Sequence, residues 1–502
     1  MSTTLSTPAT APAQRSWIER LWSSIADRGR QYAAVPGDSV GNAERARLLA
    51  EMLLSGKGEA SGAALARELQ AVWRRLGPDE RLEFYRFLAA GFVPDSDTLR
   101  RAAEAYIANP DAMHAAQLSE AADPPRQELL RRMNMSSGGT AALVAMRTEL
   151  LGLLRAHKEL TPLDTDLRHL FGSWFNRGFL DLRRIDWQTP AAVLEKLIRY
   201  EAVHEIRGWE DLRRRLAPDR RCFGFFHPAL LGEPLIFVEV ALTEGLAAAV
   251  QPLLEPTDDD AAREREAKAD TAIFYSISNC QDGLRGVSFG NFLIKQVVEE
   301  LKAELPNLVR FSTLSPIPGF RRWLDRRLAA EPAKDGDLIR AAEAAAILQA
   351  AGATDGPTDG PTDGPTGGQD AHGAMRRLLQ DTQWWTQPEA EQALRAPVLR
   401  ACARYLTDST AQRGPLDPVG RFHLRNGARL ERINWLANTA PRGFDESYGM
   451  MVNYLYDLPT IEENHEAVVR DGRVVRSAEV DALLKGPNHT EGRRRGKAHN
   501  GA

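Results

Sequence analysis

The periodicity of apolar residues changes once along this chain, near residue 215, and that change limits what the chain can fold into. From about residue 40 to residue 215, apolar side chains recur at steps of three and four with few β-branched runs. Leu65, Leu69, Val72, Trp73 and Leu76 make one stripe, and Leu143, Met146, Leu150, Leu153 and Leu154 another, as in helices that bury one face. In "GPDERLEFYRFL", Pro78 and the acidic residues beside it suit a first helical turn. These stripes read as structural packing with no chemistry of their own.

After residue 215 the texture is mixed. "RCFGFF", "PLIFVEVAL", "TAIFYSIS" and "LVRFSTLS" read as strands, with helical stretches near "EGLAAAVQPLL", "FLIKQVVEEL" and "FRRWLDRRLAA". "EPTDDDAAREREAKAD" reads as an exposed charged run. In "GRFHLRNGARLERINWLA", Asn426-Gly427 between two β-like runs predicts a hairpin. "TDGPTDGPTDGPTGG", residues 354–368, cannot bury apolar surface and is expected to be a disordered insert, because "WWTQPEAEQALRAPVLRACARYL" returns to helix. The expected fold class is α+β in several domains: a leader at 1–38, a helical bundle at 39–188, a catalytic mixed sheet flanked by helices at 189–472, and a tail at 473–502.

At 502 residues the chain is long enough for two or more domains, and a net charge of −4 gives no general pull toward nucleic acid or anionic membrane. Cys222, Cys280 and Cys402 lie far apart and match neither a disulfide framework nor a zinc site. No apolar run is long enough to span a bilayer. The basic "RRRGKAH" near the end reads as a solvated terminus.

Three stretches hold candidate chemistry. "CQDGLRGVSFGNFLIKQVVEEL", residues 280–301, follows a strand and puts three glycines before a helix, whose start has free N–H groups that attract phosphate. The bend lacks the P-loop Gly-Lys-Ser/Thr, and glycines at 283, 286 and 290 fail the dinucleotide spacing. "RGVSFG" resembles the Arg/Gln-x-x-Gly-x-Gly/Ala pyrophosphate loop of GNAT acyltransferases, with Ser288 in place of the middle glycine. In "STLSPIPGF", Pro316 and Pro318 stiffen the segment that presents Ser315, although a Ser-Pro pair also simply ends strands. His423 in "RFHL" lies in a region that also holds Asn434, Trp435, Tyr454 and Tyr456, and can move a proton near neutral pH. His227 in "FFHPALLGEPL" is the rival, and residue context alone does not separate them.

"FFHPALLGEPLIFVEVAL", "FYSISNCQDGLRGVSFGNFLIK", "FSTLSPIPGF", "FHLRNGARLERINW" and "YGMMVNYLYDL", in this order, closely resemble the malonyl-CoA decarboxylase family. The resemblance implies a helical domain used in oligomer contacts, followed by a catalytic domain of the GNAT acetyltransferase fold. It implies conversion of malonyl-CoA to acetyl-CoA and CO2 with no metal or other cofactor. It also implies a homo-oligomer, dimer or tetramer, with neither nucleic acid nor membrane as partner. Its catalytic serine falls on Ser315, its catalytic histidine on His423 and a further important tyrosine on Tyr456. Its coenzyme A loop falls on Arg285, Gly286, Val287, Ser288, Phe289, Gly290 and Asn291, where backbone contacts are safer expectations than a side-chain role for Ser288. Animal members often end in a peroxisomal tripeptide; this chain ends "AHNGA", and a bacterial cytoplasmic enzyme is expected. The competing readings are an acetyltransferase acting on an amine and a non-catalytic sensor of malonyl-CoA.

Overall fold

The computed structural model describes residues 40–55, 59–287, 293–329, 338–352, 367–410 and 414–485, with residues 24, 27 and 28. Most of the leader, the Thr-Asp-Gly-Pro repeat up to residue 366, the basic terminus from residue 486, and Ser288, Phe289, Gly290 and Asn291 lie outside the described residues. The chain forms two compact units. One comprises Met1–Asp181, Phe225–Ile236 and Asn279–Gly290; the other comprises Leu182–Gly224, Phe237–Ser278 and Asn291–Ala502.

The first unit contains helices α1 (Asn42–Leu54), α2 (Glu59–Arg75), α3 (Pro78–Gly91), α4 (Ser96–Ala108), α5 (Ala112–Ala122), α6 (Pro125–Asn134), α7 (Gly139–Leu153) and α8 (Thr161–Trp174). Leu65, Leu69, Val72, Trp73 and Leu76 are buried, as are Leu143, Met146 and Leu150, while Leu153 and Leu154 are half-buried. Helix α3 starts at Pro78, and the Gly77 N–H donates to Glu80 Oε2 at 2.8 Å. Its last turn is held by buried Arg126, which donates to Leu88 O and Ala89 O at 3.3 and 2.8 Å and to Asp166 Oδ2 at 2.6 Å. These bonds satisfy carbonyls that a helix end leaves open.

The second unit holds most of an eight-stranded sheet. Its strands are β1 (Asp181–Ile185), β2 (Arg220–Phe226), β3 (Pro234–Thr243), β4 (Thr271–Asn279), β5 (Arg310–Thr313), β6 (Ser315–Pro316), β9 (Arg429–Asn434) and β10 (Met451–Leu455); β7 (Ser409–Thr410) and β8 (Gly414–Pro415) pair separately. The order is β1-β2-β3-β4-β5-β10-β6, with β9 also on β10. β4 and β5 are parallel, whereas β10 runs antiparallel to β5, β6 and β9, so the sheet is mixed, as expected. Leu314, between β5 and β6, is fully buried in a cluster with Ile273, Tyr275 and Met451. That anchor leaves its neighbours Thr313 and Ser315 for the opposite face, because strand side chains alternate.

Two local expectations change. Asn426-Gly427 makes no hairpin: residues Pro418–Arg425 are a helix, α11, and the dipeptide ends it. In "EGLAAAVQPLL" only Gln251–Leu254 is helical, because Leu246 O and Ala247 O are taken by Arg432 Nη2 at 3.0 and 3.1 Å rather than by a helical ladder. The charged run is mostly exposed, as expected, and within it Asp259–Lys268 form a helix capped by Asp258. Helices α9 (Leu293–Glu304), α10 (Pro388–Thr407), α12 (Ile461–Asp471) and α13 (Ala478–Leu484) complete the elements used below. Residues 473–485, counted with the tail from sequence, are folded: Leu430 bridges Arg476, Val474 and Val480 are buried, and Ser477 caps α13. The three cysteines are buried. Among the described residues, no helix is long and apolar enough to cross a membrane.

Truncating the Leu314 anchor is expected to lower stability by about 3 kcal/mol in Leu314→Ala. Denaturant unfolding read by tryptophan fluorescence measures the loss.

Candidate active site

Strands β5 and β6 are one strand with a single interrupted rung. The pairs Ser312 with Leu455, Ser315 with Val452 and Pro316 with Met451 share one register along β10, so Thr313 falls opposite Tyr454. The Tyr456 N–H donates to Phe311 O at 2.8 Å, and the next narrow rung should join the Tyr454 N–H to Thr313 O. Instead the Tyr454 N–H donates to the Thr313 hydroxyl at 3.2 Å, and Asn453 Nδ2 donates to Thr313 O at 2.8 Å. The Leu314 N–H still donates to Phe274 O of β4 at 2.9 Å. Two side chains thus replace the missing rung, and a register shift on β9 falls at the same place, between Asn453 and Tyr454.

Ser315 follows this break and is buried. Its hydroxyl donates to Thr313 Oγ1 at 2.8 Å and lies 3.1 Å from His423 Nε2. His423 Nδ1 lies 2.8 Å from the Tyr456 hydroxyl. The single serine proton is committed to Thr313, so His423 Nε2 carries the hydrogen that Ser315 accepts, and Nδ1 accepts from Tyr456. Burial lowers the His423 pKa to about 3, which keeps the ring neutral at physiological pH, and raises that of Tyr456 well above the usual phenol value. The imidazole stacks on Tyr454, with ring centroids 4.9 Å apart and planes inclined by 27°.

The helix bearing His423 is closed at both ends. Asp417 caps its start by accepting from the Gly420 N–H at 2.7 Å, and Pro418 begins the first turn. At its end the Gly427 N–H donates to Leu424 O and the Ala428 N–H to His423 O, at 3.0 and 3.1 Å, the double bond pattern of a Schellman cap. Gly427 has φ +82°, and a Cβ there would lie 2.2 Å from Ile461 O of α12. Asn-Gly supplies positive φ to a helix cap as readily as to a hairpin, and the Asp-Pro start nine residues upstream decides between them.

The other candidates lie elsewhere in the chain. Arg285, Gly286 and Val287 are described in the first unit; Arg285 is exposed, with Nη2 3.0 Å from Asp282 Oδ1. His227 is packed against Phe175, with centroids 4.8 Å apart. Its Nδ1 accepts from the Ala229 N–H and its Nε2–H donates to Trp174 O, both at 3.1 Å, so both ring nitrogens are engaged structurally. Among the described residues, no group of three or more His, Cys, Asp and Glu side chains is placed to hold a metal ion.

Residues 178–494 match the malonyl-CoA decarboxylase C-terminal domain, and residues 92–175 match the N-terminal domain of the same family. The chain belongs to the malonyl-CoA decarboxylase family. A relative from Anser anser anser, named malonyl-CoA decarboxylase, mitochondrial, is 38% identical over 366 residues, spanning 71% of this chain and 69% of that protein. The crystal structure of malonyl-CoA decarboxylase from Rhodopseudomonas palustris is similar at TM-score 0.74 and 48% identity, covering 88% of this chain and 99% of that one. The enzyme of the same name from Agrobacterium vitis gives 0.72 and 45%, covering 88% and 100%.

Sequence reasoning singled out Ser315, His423 and Tyr456 in this member of the malonyl-CoA decarboxylase family and named Tyr454 among the neighbours of His423, but it missed Thr313, Asn453 and Asp417. The two-residue period of a strand pointed to Thr313 beside Ser315 and to Tyr454 beside Tyr456. Asp-Pro ahead of His423 is a helix-start signal.

Asp417 is fully buried, with Tyr405 donating to its Oδ2 at 3.4 Å. Burial pushes its carboxyl from 3.8 up to about 6. The folded protein therefore holds this proton more tightly than the unfolded chain does. The resulting contribution to stability is full below about pH 4 and is lost as pH rises through 6. Asp417→Asn keeps an acceptor for Gly420 and has no charge to bury. Its melting temperature is expected to exceed that of the wild type at pH 8, by the equivalent of about 3 kcal/mol, and the difference is expected to vanish near pH 4. Paired thermal melts across that range check it.

Proposed function

We propose that this protein is a malonyl-CoA decarboxylase that converts malonyl-CoA to acetyl-CoA and CO2, with His423 as proton donor and Ser315 as its partner. The family match over residues 178–494 carries the reading. The Ser315–His423–Tyr456 chain of hydrogen bonds supports the residue roles.

Loss of CO2 from a malonyl thioester leaves an electron pair that delocalises onto the thioester oxygen as an enolate. Fixed N–H or hydroxyl donors at that oxygen each supply about 3 kcal/mol, so the chemistry needs no metal or organic cofactor in principle. Free His423 is neutral, and a malonyl carboxylate brought against it raises its pKa, so the ring takes up a proton as substrate binds. Once the carbon–carbon bond breaks, the Nε2 proton passes to the enolate carbon, giving acetyl-CoA and a neutral ring whose hydrogen is now on Nδ1; release of that proton toward Tyr456 and reprotonation at Nε2 restore the starting tautomer. Ser315 orients the imidazole or holds the malonyl carboxylate and forms no acyl-enzyme, because the thioester stays intact. Tyr456 donates to the neutral ring and turns to accept from the charged one. Coenzyme A diphosphate would be held at the bend from Arg285, where exposed backbone before a helix suits an anion; the rest of that proposed loop, Ser288 to Asn291, lies outside the described residues.

The protein is also proposed to work as a cytoplasmic homo-oligomer joined through its helical part. Helices α4 and α5 bury no residue of their own, and Ile107 and Met113 are 79% and 59% exposed, an apolar surface that a second copy would cover. Ile107→Asp with Met113→Asp is expected to shift the mass measured by light scattering to a smaller species. An unchanged mass would remove this surface from the contact.

The activity is tested with malonyl-CoA alone, adding no metal, ATP or amine. Acetyl-CoA and CO2 are expected in equal amounts. Turnover is expected to fall at least 100-fold in Ser315→Ala and His423→Asn, with coenzyme A affinity nearly unchanged. Binding without product would favour the sensor, and acetyl transfer to an added amine would favour the transferase.

A further inference from the structure

The glycine-rich bend is supported from below by helices that the sequence marks only as packing. Arg147 of α7 is 2% exposed and anchored by its Nε, which donates to Asp164 Oδ1 of α8 at 2.7 Å. Its Nη1 donates to two carbonyls of the bend, Gly283 O at 2.7 Å and Arg285 O at 2.9 Å. The bend lies so close to α7 that a Cβ on Gly283 would be 2.1 Å from Val144 O and 2.8 Å from Thr148 Oγ1. Gly283 therefore serves contact with the helix, and the opening toward an anion is left to the residues after it.

The peptide plane turns this anchorage into an orientation. In a trans peptide the C=O of one residue and the N–H of the next point in opposite directions. With Arg285 O drawn to the buried guanidinium, the Gly286 N–H faces the other way. Gly286 is exposed, with φ +77°, and the Arg285 side chain beside it is 74% exposed. An outward backbone N–H next to an exposed guanidinium suits a phosphate oxygen, which would take the guanidinium from Asp282.

We propose that Arg147 is a positioning residue for coenzyme A: clamped by Asp164, it holds the Gly283 and Arg285 carbonyls inward and so keeps the Gly286 N–H and the Arg285 side chain turned out toward a phosphate of the ligand. This rests on the reading that the bend binds coenzyme A. It predicts a separation of effects, since the residue acts on binding and touches no reacting atom. Arg147→Met removes both carbonyl bonds at similar length. Gly283→Ala forces the bend off α7 while leaving every charge in place.

Two measurements on the full-length protein test it. Amide hydrogen exchange on the ligand-free protein reads the bend without any activity: exchange over residues 281–287 is expected to rise at least tenfold in both variants, while the peptides of β10 stay as in the wild type. Calorimetric titration with free coenzyme A is expected to weaken at least tenfold in both, and KM for malonyl-CoA to rise in step, with kcat within threefold of the wild type. Arg147→Lys, which keeps the charge beside Asp164 and can restore one carbonyl bond, is expected to fall between. Unchanged exchange in the bend overturns the clamp. Raised exchange with unchanged coenzyme A affinity, or a fall in kcat at constant KM, overturns the link to binding. If the wild type itself fails to bind coenzyme A, the functional reading falls with the link to binding, and the exchange data alone decide the clamp.

Discussion

The Tyr454 N–H donates to a threonine hydroxyl where a strand ladder would offer it a carbonyl, and the candidate site depends on that replacement. It lets the ladder break at Thr313 and resume at Ser315 without leaving a buried donor unmet. Leu314 is drawn into the core on one side of the break. On the other, the Thr313 hydroxyl serves both the Tyr454 N–H and the Ser315 hydroxyl. Which atom of His423 holds its hydrogen follows from that commitment, so a backbone irregularity in one strand determines the tautomer of a ring more than a hundred residues later.

Burial of the imidazole has an electrostatic meaning as well as a steric one. A ring stacked on Tyr454, with no charged partner on either nitrogen, has every reason to stay neutral until a carboxylate arrives. In the proposed mechanism, the charge that makes it an acid is supplied by the substrate whose decarboxylation needs one. The same low-polarity surroundings raise the Asp417 carboxyl, so the cap of the histidine helix trades some stability at neutral pH for a fixed ring.

Much of the architecture was legible in the sequence because it rests on periodicity. The stripe at Leu65, Leu69, Val72, Trp73 and Leu76 is buried as read, and the four β-type runs from "RCFGFF" to "LVRFSTLS" are strands. Ser315, His423 and Tyr456 came from a resemblance of motifs, and the structure brings the three together. Their support was not legible, for two physical reasons. Asn-Gly satisfies any backbone position that needs positive φ, so the dipeptide alone cannot separate a hairpin from a helix end. The bonds of Thr313 and Asn453 across the interrupted rung, and of Arg147 to the bend, join residues about 140 positions apart that share no local pattern.

The glycine bend is counted with the helices in space although it is sewn between two elements of the sheet in sequence. A stretch of chain and a folding unit are therefore different objects here. A fragment cut to begin at residue 189 would contain every residue of the bend and of the Ser315–His423 pair, yet it would lack the guanidinium and the helix backbone against which the bend is shaped. On the proposed reading of the bend, the helical region is part of the mould for the ligand site, and exchanging it between relatives would keep affinity only where Arg147, Asp164 and Gly283 stay matched.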